Sequence, residues 1–416
     1  MAMTRDRALD TTRLRQDFPI LGREVNGHRL VYLDSAGSAQ KPRQVLDAMD
    51  DFYRRSYANV HRGAYTLANE ASEALESARE KVAHFIGAGS PNEVIFTKNA
   101  TEAMNLVVNS WGRANLRDGD VVVLTVLEHH ANIVPWQILA DQIEIELRWV
   151  PLDHQGHLDL TALDELVDGA KVVSFSAMSN VLGTLTPVRR IADAARAAGA
   201  MVMVDACQFV PHNPTDVAEL GADFIAFSAH KMCGPTGIGA LWGREAMLDA
   251  MPPFLGGGSM ISDVRLDGFT PAPLPHKFEA GTPPIAEAVG FGAAVDYLSA
   301  LGMDSVRRHE VELTSYALRT LTERFGDQIA ISGPSEPAER GGVFSLAYRD
   351  LHPHDISQVL DERAVCIRAG HHCAKPLMRY MGVGATARAS VYVYNDESDI
   401  DALSEGLEAA GEFFAF

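Results

Sequence analysis

The chain runs to 416 residues, 47% hydrophobic and 22% charged, proportions of an ordinary globular protein that exclude a disordered tail or a coiled coil. At about 150 residues per domain, the length leaves room for two or three domains and a sizeable core. A formal net charge of −19 makes nucleic acid and anionic membrane poor partners.

The opening MAMTRDRALDTTRLRQ carries no apolar segment, so no secretory signal is expected. The first strong element is a helix from Leu67 to Ile86. There Leu67, Ala71, Ala74, Leu75, Ala78, Val82, Phe85 and Ile86 recur at helical spacing, and Gly87 ends the run. Short aliphatic runs follow, EVIF, DVVVLTV, KVVSFSA, MVMVDA and DFIAFSA, alternating with helical stretches such as Ala192 to Ala200. Continuous apolar strands between helices predict a parallel or mixed sheet buried on both faces. The longest apolar run, Val121 to Leu127, falls far short of the roughly 18 residues that span a bilayer. TPAPLP at 270–275 breaks the alternation. Beyond about Tyr297 a long helix, GGVFSLAY, HDISQVLDERA, VCIRAG and a final helix predict a smaller α+β domain. The four cysteines, Cys207, Cys233, Cys366 and Cys373, lack CxxC spacing. They predict neither a disulfide framework nor a zinc site, and they point to a reduced, cytoplasmic setting.

Ligands of open α/β sheets bind beyond the carboxyl ends of the strands, and here those ends are polar. EVIF leads to Thr97 through Glu102, DVVVLTVL to Glu128, His129 and His130, KVVSFSAM to Ser179 and Asn180, MVMV to Asp205, and DFIAFS to Ala229, His230 and Lys231. An amine at such an edge beside apolar walls suits a Schiff-base nucleophile, although a lone lysine after a strand is more often a solvated surface residue. Asp205 raises the first reading for Lys231, because a carboxylate there can pair with the ring nitrogen of pyridoxal phosphate; its plainer role is a helix N-cap. The turn TKNATEAMN, with Thr101, suits a monophosphate at a helix N-terminus, with Ser228 and His230 as further donors. His129 either stacks on a flat ring or is a satisfied core histidine.

In RAGHHCAKP no acidic residue lies between Ala364 and Lys375, while His371, His372, Arg368 and Lys375 surround Cys373. Such an electropositive loop favours thiolate, and Gly370 and Pro376 suggest an accessible, turn-rich segment and not a core strand. Cys207, Cys233 and Cys366 read as buried small hydrophobes. Arg388, opening a strand in TARASVYVY, suits either a bidentate carboxylate clamp or a surface ion pair.

With these residues in view, the chain resembles the cysteine desulfurases of the class V aminotransferase family, fold type I pyridoxal-phosphate enzymes, and specifically their group II or SufS type. The likeness runs through DSAGSAQKP, YANVHRGAY, EHHANIVPW, SNVLGT, FSAHKMCGPTGIG, GGGSMI, FEAGTP, RAGHHCAKPLM and RAS, and the short RAGHHCA loop is the group II mark. It implies an α/β fold in two parts. One is a large cofactor domain over 31–295 with a mostly parallel seven-stranded sheet; the other is a small α+β domain from 1–30 and 296–416.

The resemblance also implies pyridoxal 5'-phosphate as cofactor, with Lys231 bonded to it, Asp205 on its ring nitrogen and His129 stacked on the ring. Thr101, Ser228 and His230 would hold its phosphate, Asn180 and Gln208 would lie by its phenolic oxygen, and Thr282 would reach the other subunit's phosphate. Arg388 would bind the substrate carboxylate, with Asn180 and Arg368 completing the substrate site, and Cys373 would carry the persulfide. Ala100 departs from the family pattern, in which many relatives carry a second threonine beside Thr101. The implied activity converts L-cysteine to L-alanine and supplies sulfur for iron-sulfur cluster assembly, leaving selenocysteine open as a further substrate. No metal is implied; the implied assembly is a homodimer served by a SufE-like or SufU-like acceptor protein. A selenocysteine lyase or an epimerase of the same family would use Lys231 and Asp205 without a persulfide, and Cys373 argues against the epimerase. A silent scaffold would lack the lysine or the aspartate, and both are present.

Overall fold

A computed structural model describes residues 9–61 and 63–414. Arg62, which with His61 is expected to offer local counter-charge to an acceptor protein, lies outside the described residues. The strands β1 (Val94–Thr97), β2 (Val121–Thr125), β3 (Glu146–Val150), β4 (Ala170–Ser176), β5 (Met201–Asp205), β6 (Phe224–Ser228) and β7 (Gly239–Gly243) form one seven-stranded sheet in the order β1-β7-β6-β5-β4-β2-β3. Pairing is parallel throughout except at β7, which runs antiparallel to both β1 and β6. The aliphatic runs explain this placement. Val121 and Val123 pack into the core on one face, Val122 and Leu124 into the core on the other, so a strand with no polar face is satisfied on both sides. The sequence reading passed over β3, whose residues are half-exposed at the sheet edge, and β7, whose short run is bounded by glycines.

The helix Arg43–Arg55 (α1) and the helix Thr66–Phe85 (α2) pack on Ile285–Leu301 (α3). In α2 the buried face is Ala68, Ala71, Leu75, Ala78, Arg79, Val82 and Ala83. Leu67, expected on that face, is exposed instead, because at the first turn it extends past the packed surface. A second, antiparallel sheet joins β8 (Ile329–Ile331), β9 (Val343–Tyr348), β10 (Arg368–Gly370) and β11 (Thr386–Ser390) in the order β8-β9-β11-β10. Its core includes Phe344, Leu346 and Tyr348 packed with Leu313, Leu321, Leu403 and Leu407. Val31–Tyr32 pairs in parallel with Val365–Cys366, which carries Val31 and Leu33 into this second core, across the boundary expected at residue 31.

Three local expectations change. Arg368–Gly370 is a strand and Lys375–Tyr380 a helix with Pro376 in its first turn, so the turn-rich segment shrinks to His371–Ala374. Arg388 sits in mid-strand and is buried, which rules out a surface ion pair. Cys366 is half-buried, being at the edge of a two-residue pairing.

Candidate active site

The carboxyl ends of β1, β2, β4, β5 and β6 open into a cavity of about 220 Å³. Thr101, His129, Asn180, Asp205, Gln208, Ser228, His230, Lys231, Arg368, Cys373 and Arg388 all line it. Thr282 does not: it is exposed in the turn ahead of α3.

Asp205 ends β5 and is 4% exposed. It accepts the Cys207 amide at 3.0 Å and forms no ion pair among the described residues. Burial pushes its carboxyl up, against the pull of that amide and of Lys231. A buried carboxylate without a paired cation calls for an N–H donor carrying positive charge. Cys207, half-buried beside it, is a thiol, since burial pushes it up to about 12.

Lys231 follows β6 on a turn that is clamped from outside. The His230 carbonyl accepts from the Ala39 amide at 2.9 Å, the Ser38 hydroxyl at 3.2 Å and the Lys41 ammonium at 3.2 Å. The DSAGSAQKP segment thus supports the lysine turn, a role its residues could not disclose in one dimension.

At β1, Asn99 caps the helix Ala100–Val107 by accepting the Glu102 amide at 3.0 Å. The Ala100 amide donates to Ser228 Oγ at 2.9 Å, which leaves the Ser228 hydroxyl proton to point into the cavity near exposed Thr101. His230 is held neutral, burial lowering it to about 4. His129 is likewise neutral, lowered to about 3 by burial and then by Lys231. Its Nδ1 accepts the Ala131 amide at 3.0 Å, so the proton sits on Nε2.

The opposite rim comes from the second sheet. Arg388 donates to the Asn180 carbonyl at 2.9 Å and to Asp34 Oδ1 at 3.1 Å. Arg368 grips both Asp34 oxygens, the shortest contact being 2.8 Å. Asp34 therefore corrects the picture of an unopposed basic loop: an acid remote in sequence aligns two guanidinium groups. Glycine at 37 leaves room for this pair, since a Cβ there would stand 2.7 Å from Arg368 Nη2 and 2.9 Å from the Asp34 oxygens and would push the two side chains aside.

Cys373 is exposed at the mouth. His372 and Cys373 have φ of +51° and +56°, a left-handed pair that non-glycine residues adopt only when surroundings enforce it. The enforcement is visible: the Cys373 carbonyl accepts the His130 amide at 2.8 Å, the Lys375 amide donates to His130 Nε2 at 2.9 Å, and Asn180 Nδ2 donates to the His372 carbonyl at 2.7 Å.

These residues fit pyridoxal phosphate. Among the described residues, buried Gln208 Oε1 and Arg388 Nε have no partner although both side chains line the cavity, Asp205 has no cationic N–H paired with it, and amide and hydroxyl donors gather at a helix N-terminus. Away from the cavity, His61, Glu76 and His276 bring ligand-type atoms within 4.8 Å of one another. Arg79 already holds the Glu76 carboxylate at 2.9 Å, which sets its charge against any cation there.

Residues 31–403 match the family model described as aminotransferase class-V. A probable cysteine desulfurase of Streptomyces coelicolor is 53% identical over 98% of both chains. Among solved structures, the apo cysteine desulfurase of Thermococcus onnurineus superposes with a TM-score of 0.92 at 36% identity, covering 98% of this chain and 99% of that one. The Escherichia coli cysteine desulfurase CsdA, in an S-sulfonic acid form, superposes with a TM-score of 0.87 at 36% identity, covering 98% of this chain and 100% of that one.

Proposed function

The chain belongs to the aminotransferase class-V family, and on that footing we propose that it is a pyridoxal-phosphate-dependent cysteine desulfurase that turns L-cysteine into L-alanine and keeps the sulfur as a persulfide on Cys373. The observation that carries this reading is one thiol, exposed on an enforced loop, at the mouth of a cavity that also holds Lys231, Asp205 and two aligned arginines.

Bound pyridoxal phosphate supplies an electron sink conjugated to the substrate's α-carbon. Lys231 is the attachment point and the proton carrier above the cavity floor. Asp205 would hold the proton of the ring nitrogen, and His129, kept neutral by burial, would lie against the ring without adding a second positive charge. Thr101, Ser228 and the Ala100 turn, which line the cavity, would bind the phosphate, and Asn180 and Gln208 would hydrogen-bond the phenolic oxygen. Arg388 receives the substrate carboxylate, Arg368 standing beside it at the entrance. The Cys373 sulfur then attacks the substrate sulfur: an S–S bond forms, the substrate C–S bond breaks with its electron pair left on carbon, and a proton delivered to that carbon completes alanine.

A homodimer and an external sulfur acceptor complete the proposal. Tyr53, Tyr57, Tyr65, Leu46 and Leu67 are exposed, and the hairpin Ile261–Pro271 presents Val264, Leu266 and Phe269 to solvent. An isolated two-stranded hairpin is marginal in water, so a second copy is its natural cover and gives exposed Thr282 a site to serve. The loop bearing Cys373 spans only His371–Ala374 between strand and helix, so the sulfur cannot travel far. A SufE-like or SufU-like carrier with an acidic rim would dock over His371, Lys375 and Arg379, a basic patch on an acidic protein. The same chemistry admits selenocysteine, and the reading places the enzyme in the cytoplasm, feeding iron-sulfur cluster assembly.

Incubation with L-cysteine tests the core of the proposal. Alanine and protein-bound persulfide should form in equal first-turnover amounts in the native protein, with a burst that a carrier or strong reductant converts to sustained turnover. Neither product should form in Cys373→Ser; alanine without persulfide, or a burst-free rate indifferent to carriers, would refute it.

A further inference from the structure

Beneath the His129 side of the cavity lies a carboxyl group to which the mechanism assigns no work. Glu128 directly precedes His129, is fully buried, and is met by four donor groups. Oε1 accepts the Thr125 hydroxyl at 2.5 Å and the Ser176 amide at 3.0 Å. Oε2 accepts Asn132 Nδ2 at 2.6 Å and the Ser176 hydroxyl at 2.9 Å. Asn132 is itself oriented by the Ser174 hydroxyl, which donates to Oδ1 at 2.6 Å. One carboxyl therefore ties the end of β2, the turn that carries His129, and the end of β4 into a single bracket.

Two features make the bracket more than packing. Ser176 lines the cavity and is the register partner of Asp205, so Glu128 lies one strand away from the Asp205 carboxylate. The donors are also of two kinds. The Ser176 amide and the Asn132 amide can only donate, whereas the Thr125 and Ser176 hydroxyls can turn and accept, so Glu128 can hold or release a proton without losing a hydrogen bond. Burial, opposed by Thr125, Asn132 and Ser176 and assisted by Asp205, raises this carboxyl to about 7. The charged and titratable groups at this end of the sheet are Asp205 and, just beyond β5, Cys207, His129 and His130 on the same turn, His230 and Lys231 after β6, and Arg368, His372, Cys373 and Arg388 from the rim.

We propose that Glu128 is a positioning residue that fixes the His129 turn over the cavity and, by its own charge, sets the proton affinity of the groups Asp205 and Lys231 present to the cofactor. The inference rests on the cofactor reading above, and its test can tell the two apart.

Glu128→Gln keeps the shape, and after Asn132 turns over it keeps the hydrogen bonds, while removing the charge. The cofactor-loaded protein is titrated with acid and base and its visible absorbance followed, with no turnover involved. Loss of a nearby negative charge lowers the affinity of the lysine-linked nitrogen for its proton, so the midpoint should move to lower pH by on the order of one unit. Melting of the cofactor-free variant should stay close to native. A cofactor-loaded Glu128→Gln with an unmoved midpoint would overturn the proposal. If that variant does not fold, Thr125→Val removes one donor to the anion away from the cavity lining, and should move the midpoint the same way by less; no movement there also overturns it. Native protein without visible absorbance would overturn the cofactor reading and this inference together.

Discussion

The two walls of the cavity are held by different means. The sheet wall, formed by the ends of β2, β4, β5 and β6, is built of buried groups that satisfy one another: Glu128 by its bracket, His129 by the Ala131 amide, and the His230 carbonyl by three donors. Burial there holds histidines neutral and pushes carboxyls and Cys207 up, so charge is rationed before any ligand enters. The rim wall, from β10, β11 and the loop between Gly370 and Lys375, keeps Arg368 and Cys373 in contact with water and is fixed mainly through main-chain groups, Asp34 excepted. A group that must control charge benefits from burial, whereas a sulfur that must be handed on has to stay accessible on a backbone that does not move.

The largest test of that division is Lys231→Ala, which should abolish alanine formation and any borohydride-fixed link between protein and cofactor while leaving the cofactor-free melting temperature near native. A pyridoxyl group mapped to another residue after reduction would place the attachment elsewhere. On the rim, Cys373→Ser should abolish turnover of L-cysteine yet leave the absorbance and its pH midpoint unchanged; a changed midpoint would show that the walls are not separable.

Asp34→Asn probes the one charged bond between the rim arginines. It strips the partner from Arg388, which is 2% exposed, and should cost about 2 kcal/mol of stability while raising KM more than it lowers kcat. An unchanged KM would mean Arg388 does not receive the carboxylate.

The smallest effect is a slope. Burial, then Arg388, lowers His372 from 6.5 to about 3, so the unfolded chain takes up a proton that the folded chain refuses. That contribution is fully present above about 6.5 and is lost as the pH falls toward 3. Glu128, raised from 4.5 to about 7, acts in reverse: its share is complete below 4.5 and lost as the pH rises to 7. The two oppose each other between 4.5 and 6.5, and below 4.5 His372 acts in the same direction as His129 and His230, which burial lowers likewise. His372→Gln should flatten the acid limb of melting temperature against pH, most visibly below 4.5; an unaltered limb would assign acid sensitivity to other groups.

Much of the sheet wall was legible because strand ends are adjacent in sequence to the residues they present: EVIF, KVVSFSA, MVMVDA and DFIAFSA each deliver their polar residue within a few positions. The accessibility of Cys373 was legible too, through Gly370 and Pro376. The partners were not. Nothing near Arg368 and Arg388 announces Asp34, which reaches them only because Val31–Tyr32 pairs with Val365–Cys366. Glu128 was visible at its strand end, but its donors lie on two strands and a turn, and its meaning depends on the Ser176–Asp205 register. Likewise two successive left-handed residues at His372 and Cys373 have no sufficient local cause, since histidine adopts that conformation only occasionally and the contacts of His130 and Asn180 hold the pair in place.

By itself, then, the sequence determined which strands are buried on both faces, where the α2 helix runs, and which side chains stand at the strand ends, because these follow from side-chain period and local backbone preference. The tertiary structure alone decided protonation and alignment: which carboxyls are raised and which arginines share Asp34. Those properties are set by desolvation and by contacts between segments hundreds of residues apart, and neither exists until the chain has closed on itself.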